Sequence, residues 1–209
     1  EERLIEDSDQ YDLGLYSSLS YDLKGVKLNA VLRFDNRSIR SADFSGDYPN
    51  VNAAFGLRKQ WEGESIKDLS AHLSSGTRAP HLSELLSDGV HHGAVRYELG
   101  DRNLKSERFV QLDINYEFSN EHFSLMFNPY ATYANGYIQL AQVDSVIDGM
   151  EVYEYAAKDG VLLYGLETRV HYHPHFDHRI HFETGYSNTF GRDLGIVQSG
   201  EDLYFMPQA

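Results

Sequence analysis

The chain has 209 residues, a formal charge of −14 and no cysteine. The absence of thiols excludes structural disulfides and Cys-ligated metal sites. The acidic balance argues against nucleic acid, whose phosphates need a basic surface, and against adhesion to anionic lipid headgroups. No apolar run approaches the ~18 residues of a membrane-spanning helix, but β-strands cross bilayers in segments of about 9–11 residues whose hydropathy signal is weak.

Taken in chain order, a period of two repeats along most of the sequence. Over Tyr11–Leu23, one face carries Tyr11, Leu13, Leu15, Leu19, Tyr21 and Leu23, and the other Asp12, Gly14, Ser18, Ser20 and Asp22. The next segment sets Val26, Leu28, Ala30, Leu32 and Phe34 against Lys27, Asn29, Arg33 and Asp35. Further strands are expected over Val51–Trp61, Ser65–Thr77, Phe109–Phe118, Phe123–Leu140, Val152–Tyr172 and Ile180–Phe190. Charge at every second position would be scattered around a helix, so a helical reading fails for most of the chain. One helical turn is expected at Leu82–Leu86, with His81 or Ser83 near its start and Gly89 as its stop. The 15 Tyr and 11 Phe fit aromatic girdles on a sheet.

The links between these strands fall into two classes. Lys24-Gly25, Glu62-Gly63-Glu64, Ser119–His122 and His173–His178 are short. Ser41–Asn50, Arg78–Glu107, Ala141–Glu151 and Gly191–Ala209 are longer and rich in Gly, Asp and Ser. The classes alternate, which puts all the short turns at one end of an up-and-down sheet, the layout of outer-membrane barrels. No linker divides residues 1–209, so a single piece is expected.

Arg78-Ala79-Pro80 ends a strand, Leu82, Leu85 and Leu86 form an apolar turn, and Gly100-Asp101-Arg102-Asn103-Leu104-Lys105-Ser106-Glu107 leads into the next strand. This order resembles that of TonB-dependent outer-membrane receptors, in which an R-A-P strand end leads through an E-L-F-type turn to a G-N-P-N-L-K-P-E-like segment. The chain departs from that pattern at Asp101, Arg102 and Ser106. Val152–Tyr172, with its Tyr164-Gly165-Leu166-Glu167, is similar to a segment of the same receptors that ends in Y-G-x-E.

The resemblance implies an all-β fold: an antiparallel up-and-down transmembrane segment of about eight strands, part of a barrel of about 22 strands. The segment would be the C-terminal part of the barrel without its last strands, and Met206-Pro207-Gln208-Ala209 reads as a lead-in to another strand. Nothing in the chain resembles the family's plug or its TonB box. A sheet cut from a barrel exposes two edges and is expected to need detergent. The implied function is import of a scarce nutrient, a ferric siderophore or other metal chelate, across the outer membrane of a Gram-negative bacterium. The implied partners are outer-membrane lipid and, through the plug, the TonB complex. The alternative is a small complete barrel with a structural or adhesive role.

Several residues carry possible chemistry. His91 and His92 lie in the longest link, near His81, Glu84 and Asp88, and Gly93 offers the turn that two adjacent histidines need to face one ion. Arg96, Tyr97 and Arg102 suit a ferric chelate, whose catecholate or carboxylate groups favour cationic and aromatic contacts. The loop of residues 78–107 is therefore the expected binding element, with Asn103 and Leu104 structural. His171, His173, His175, His178 and His181 crowd one hairpin. There they are either polar rim residues or, with His171, His173 and His181 sharing a face, ligands for zinc or copper. Tyr130, Tyr133 and Tyr137 fall on mixed faces and read as wall residues. No G-x-S-x-G elbow or phosphate loop is present, so neither an enzyme nor a resident cofactor is expected.

Overall fold

The computed structural model describes residues 4–177 and 179–195. Its main element is an eight-stranded antiparallel sheet. In chain order the elements are β1 (Ser8–Leu23), β2 (Val26–Ser41), β3 (Ser45–Trp61), β4 (Ile66–Arg78), α1 (Leu82–Leu86), β5 (Asp88–His91), β6 (Arg96–Leu99), β7 (Glu107–Ser119), β8 (Phe123–Asn135), β9 (Tyr137–Ile147), β10 (Met150–Lys158), β11 (Val161–Tyr172) and β12 (Phe182–Asp193). The main sheet runs β1-β2-β3-β4-β7-β8-β11-β12, and a four-stranded sheet runs β5-β6-β10-β9. Each long strand pairs with its sequence neighbour, so the wall is a meander. Among the described residues the sheet does not close on itself, so it is a partial barrel.

Register assigns the two faces. Leu15 pairs with Phe34, Phe34 with Val51, Phe55 with Leu73, Leu73 with Leu112, and Tyr133 with Leu162. Directly opposed residues share a face, so this face is apolar across the sheet. Leu15, Leu19, Leu73 and Val110 on it remain between 50% and 68% exposed. Such a continuous apolar surface is matched by lipid rather than water. The other face carries Arg33, Asp35, Arg58, Asp68, Gln111, Asp113, Glu167 and Arg169, with bonds such as Arg58 Nε to Asp68 at 2.8 Å. Among the described residues no helix is long and apolar enough to cross a membrane, which says nothing about crossing by strands.

Several expectations need correction. The link Ser41–Asn50 is only a three-residue turn, because β2 and β3 continue upward as a tall hairpin. Arg40 pairs with Asp47 at 2.8 Å and Ser38 donates to Asp47 at 2.6 Å, so the Gly- and Asp-rich composition belongs to a solvated ladder. Pro49 is tolerated because β3 has no partner on its β4 side until Ala53.

Phe123–Leu140 is not one strand: it breaks at Gly136, with φ +65, and β9 leaves the wall. Val152–Tyr172 breaks likewise at Gly160, with φ +76. The two breaks lie side by side. Gly136 N–H donates to Asp159 and Gly160 N–H donates to Asn135, at 2.8 and 3.2 Å, so each kink is capped by the residue before the other glycine. The expected link Ala141–Glu151 is the β9–β10 hairpin. Asp148 and Gly149 both have positive φ there, as a two-residue type I′ turn requires. Lys24-Gly25 meets the same requirement between β1 and β2.

The remaining corrections are small. β12 begins at Phe182 rather than Ile180, and α1 stops at Ser87 rather than Gly89. The short-turn end is otherwise as expected, with links at residues 24–25, 62–65, 120–122 and 173–181. His178, and residues 196–209 with the expected lead-in Met206-Pro207-Gln208-Ala209, lie outside the described residues.

Candidate functional site

The buried core is at the long-link end. His81 caps α1 through a capping box: Ser83 N–H donates to its ring, and the Glu84 carboxylate accepts from its backbone N–H. That geometry turns Leu85 and Leu86 inward against Ile39, Leu104 and Ile138, with Leu82, Phe44, Tyr48 and Tyr155 packed around them. The apolar turn thus anchors the loop to the wall, as expected. Leu104 is buried, and Asp101 holds Asn103 in a side-chain turn, accepting from its backbone N–H at 2.8 Å.

Arg78 ties the base of the loop. Its Nε donates to Glu107 at 2.6 Å, and both terminal nitrogens donate to Glu84 at 2.9 Å. Arg78 and Glu107 are register partners at the top of β4 and β7. The second oxygen of Glu107 accepts from Ile138 N–H at 2.6 Å, so one carboxylate joins β4, β7 and the start of β9. The bond to Glu107 raises the Arg78 pKa above its ordinary value, and the pair with Glu84 adds to this.

Beyond α1 the loop is more regular than its composition suggests. β5 and β6 form a hairpin, and β6 pairs in parallel with β10, Tyr97 opposite Val152. The links after β4 and β8 therefore merge into one outer sheet. The segment before β1 clamps it: Asp88 N–H donates to the Leu4 carbonyl at 3.0 Å, and Arg102 pairs with Glu6 at 3.2 Å.

His91 and Arg96 are opposed on one face of this hairpin, and Tyr97 lies on the other. The His91 ring accepts from Ala94 N–H at 3.1 Å, and its carbonyl accepts from Ala94 and Val95 N–H groups, which folds the tip. His92 is exposed in that tip. Arg96 donates to Glu98 at 2.7 Å and stacks its guanidinium over Tyr153 at 4.9 Å, while the Tyr97 hydroxyl donates to Asp88 at 2.9 Å. The structure therefore brings His91 and Arg96 together, sets His92 beside them, and sends Tyr97 to the opposite side. Burial raises the Tyr155 pKa beneath the hairpin.

Gly100 is tightly packed against α1. A Cβ there would lie 2.7 Å from the Leu85 carbonyl carbon and 2.8 Å from its oxygen. Gly100→Ala is expected to push α1 off the wall at a cost of about 1–3 kcal/mol, as overpacking does. Limited proteolysis of loop 78–107 will read this as faster cleavage; an unchanged rate would mean that α1 is not held by this contact.

On the polar face below the loop base, Asp12, Arg33, Asp35, Arg37, Asn50 and Arg78 line a cleft of about 520 Å3. Arg33 pairs with Asp35 at 2.6 Å and Arg37 with Asp12 at 2.8 Å. Sequence reasoning marked Arg78 as a motif residue and put Asp12, Arg33 and Asp35 on the polar face, but it did not single out Arg33, Arg37 or Asn50 as parts of a site. His171, His173 and His181 lie at the far end of the wall, by the short turns.

A family model described as "TonB dependent receptor-like, beta-barrel" matches residues 3–208. A search of curated proteins returned no match. Among solved structures, the chain is similar to the copper transporter OprC, with TM-score 0.73 and 17% identity over 90% of this chain and 30% of that one. It is similar to the FrpB iron transporter from Neisseria meningitidis (F5-1 variant), with TM-score 0.67 and 18% identity over 94% of this chain and 29% of that one. It is also similar to the Serratia marcescens hemophore receptor HasR, solved with its hemophore HasA and heme, with TM-score 0.71 and 15% identity over 88% of this chain and 34% of that one. The chain thus spans about a third of the length of these proteins.

Proposed function

The chain belongs to the TonB-dependent receptor β-barrel family, and on that premise we propose that it forms part of the wall of an outer-membrane importer, not an enzyme, whose cargo is a ferric siderophore or other metal chelate. The proposed energy source is TonB, acting through a plug within the barrel. The observation that carries this reading is the two-ended wall. One end bears an outer sheet packed against the wall at Ile39 near a polar cleft, the other bears the short turns, and the wall between them exposes a continuous apolar face suited to lipid.

The cleft offers a chelate arginine donors that are already paired with carboxylates, so it contributes hydrogen bonding and not net positive charge. Arg33, Arg37 and Arg78 are each fixed by carboxylates and so are held in place without reorganisation. His91, His92, Arg96 and Tyr97 are the proposed contacts from the loop above. The similar solved structures, named for copper, iron, and heme with its hemophore, support a metal-containing cargo without choosing among these.

The test is uptake of labelled ferric chelates, zinc and haem by a strain lacking the protein, with and without the complete gene, in backgrounds with and without functional TonB. The expected result is accumulation of one substrate class that needs both the gene and TonB. Accumulation of none of them in that manner would overturn the proposal.

A further inference from the structure

The register fixes where the apolar face of the wall begins and ends. Lys59 and Lys67 stand on that face at the short-turn end, on either side of Trp61, with the Lys59 ammonium 5.1 Å from the indole centroid. At the long-link end Arg108 stands on the same face, one period above Val110 and opposite Asn135. Between these rims β3, β4, β7 and β8 place no charged side chain on it. From Arg108 to Phe118, the register partner of Lys67, is about 34 Å of strand, or about 24–28 Å of height at a tilt of about 35–45°. That is the height of a barrel's lipid-facing band, so Arg108 sits where acyl chains give way to headgroups.

A groove opens at that level. β3 runs on above Ala53 without a partner on its β4 side, and Pro49, Asn50, Val51, Arg108, Tyr133 and Asn135 help line a space of about 470 Å3 beside it. A second space of about 520 Å3 adjoins the first at Arg108 and adds Lys105. Both cations are exposed. Every arginine from Arg33 to Arg102 meets a carboxylate, but among the described residues Arg108 and Lys105 meet none. The two acids at the groove are engaged elsewhere, Asp47 by Arg40 and Ser38, and Asp159 by Gly136 N–H. The acidic balance of the whole chain opposes anionic headgroups, so this unmatched pair is a local exception.

We propose that the groove seats one phosphorylated glycolipid of the outer leaflet. Its phosphate bridges Arg108 and Lys105, and an acyl chain lies along Val51, Val110 and Tyr133. A guanidinium offers phosphate two parallel N–H donors, and the ammonium adds a point charge. The Asn135 side-chain oxygen accepts from Gly160 N–H, which leaves its amide N–H groups as further donors. Tyr133 stands where interfacial aromatic residues gather. The choice of leaflet rests on the barrel layout of the preceding section, in which the long links face outward; the pairing of cations with an apolar track does not.

The complete protein, purified in detergent and stripped of lipid, is titrated with bis-phosphorylated lipid A and followed by native mass spectrometry. One molecule is expected to bind, and Arg108→Gln/Lys105→Gln is expected to weaken it at least about tenfold. Arg108→Lys should lose part of that, because an ammonium cannot grip phosphate with two fixed donors. Lys59→Gln/Lys67→Gln, which removes the same charge from the opposite rim, should leave the affinity unchanged. Dephosphorylated lipid A, phosphatidylglycerol and inorganic phosphate should compete poorly. Heat-modifiable migration on gels reports whether each variant is folded, and Arg108→Gln alone replaces the double variant if that is not. Unchanged affinity in the Arg108/Lys105 variant overturns the proposal, as does an equal loss in the Lys59/Lys67 variant. Competition by phosphatidylglycerol or inorganic phosphate as strong as by lipid A itself would overturn the choice of a glycolipid. Failure of the uptake test leaves this titration unaffected, so the two readings fail separately.

Discussion

Replacing Arg78 by Met is expected to release loop 78–107 from the wall while the strands stay paired. The side chain is 41% exposed, but its partners are not: the Glu84 and Glu107 side chains are 13% and 9% exposed. Removing the cation leaves two poorly solvated carboxylates without a counter-charge. A buried pair broken in this way costs about 3–5 kcal/mol, and the partial exposure of Arg78 lowers the expectation to about 2–3 kcal/mol. The strain falls on what those carboxylates hold, namely the capped start of α1 through Glu84 and the Ile138 N–H through Glu107. Arg78→Lys should recover little, because an ammonium cannot bond Glu84 with two nitrogens and Glu107 with a third at once. Protease sensitivity of loop 78–107, together with the temperature at which the folded band is lost on gels, measures both effects. Equal sensitivity of Arg78→Met and the parent would mean that apolar packing around Leu85 and Leu86 suffices without the ion network.

The arrangement explains why part of this site was legible and part was not. Arg78 and Glu107 stand at the two ends of the segment that carries the family resemblance, 29 positions apart in sequence yet register partners in the wall. The sequence marks both as motif residues. Their contact depends on β4 and β7 being adjacent, which a period of two does not state. The strands themselves were legible because lipid on one face and a polar face on the other enforce strict alternation.

Alternation alone cannot tell a strand that continues from one that bends away. That is why Asn135-Gly136 and Asp159-Gly160 were read through, although both dipeptides are turn signals of the same kind as Asp148-Gly149. The histidines at the short-turn end show the same limit. His171, His173 and His181 follow from spacing along one hairpin, whereas His122 joins them only because β8 and β11 are in register at Phe123 and Tyr172. Arg33 and Arg37 were missed as site residues for a different reason: each is one more polar residue on a polar face, and only the fold puts them beneath the loop.

Excising the tip of the outer hairpin is expected to abolish uptake while leaving the barrel inserted. Gly89 and Glu98 are directly opposed, so residues 90–97 can be replaced by a two-residue glycine link without disturbing the strand ends. The cut removes His91, His92, Arg96 and Tyr97 together. It spares Ser87, whose carbonyl accepts from Gly100 N–H at 2.7 Å, and the core around Leu85 and Leu104. Because Glu98 is buried and pairs with Arg96, the excision should carry Glu98→Gln so that no lone carboxylate is left behind. Uptake is then expected to fall to the level of a strain without the protein. The finer variant His91→Ala/His92→Ala sorts the cargo: it should weaken uptake of zinc or haem, which imidazole ligates, and barely alter that of a bulky ferric siderophore held mainly by Arg96, Tyr97 and the cleft arginines. Unchanged uptake of every tested substrate by the excised protein, with the barrel still inserted, would show that the hairpin is not the binding element. Recognition would then pass to the polar wall around Arg33, Arg37 and Asn50.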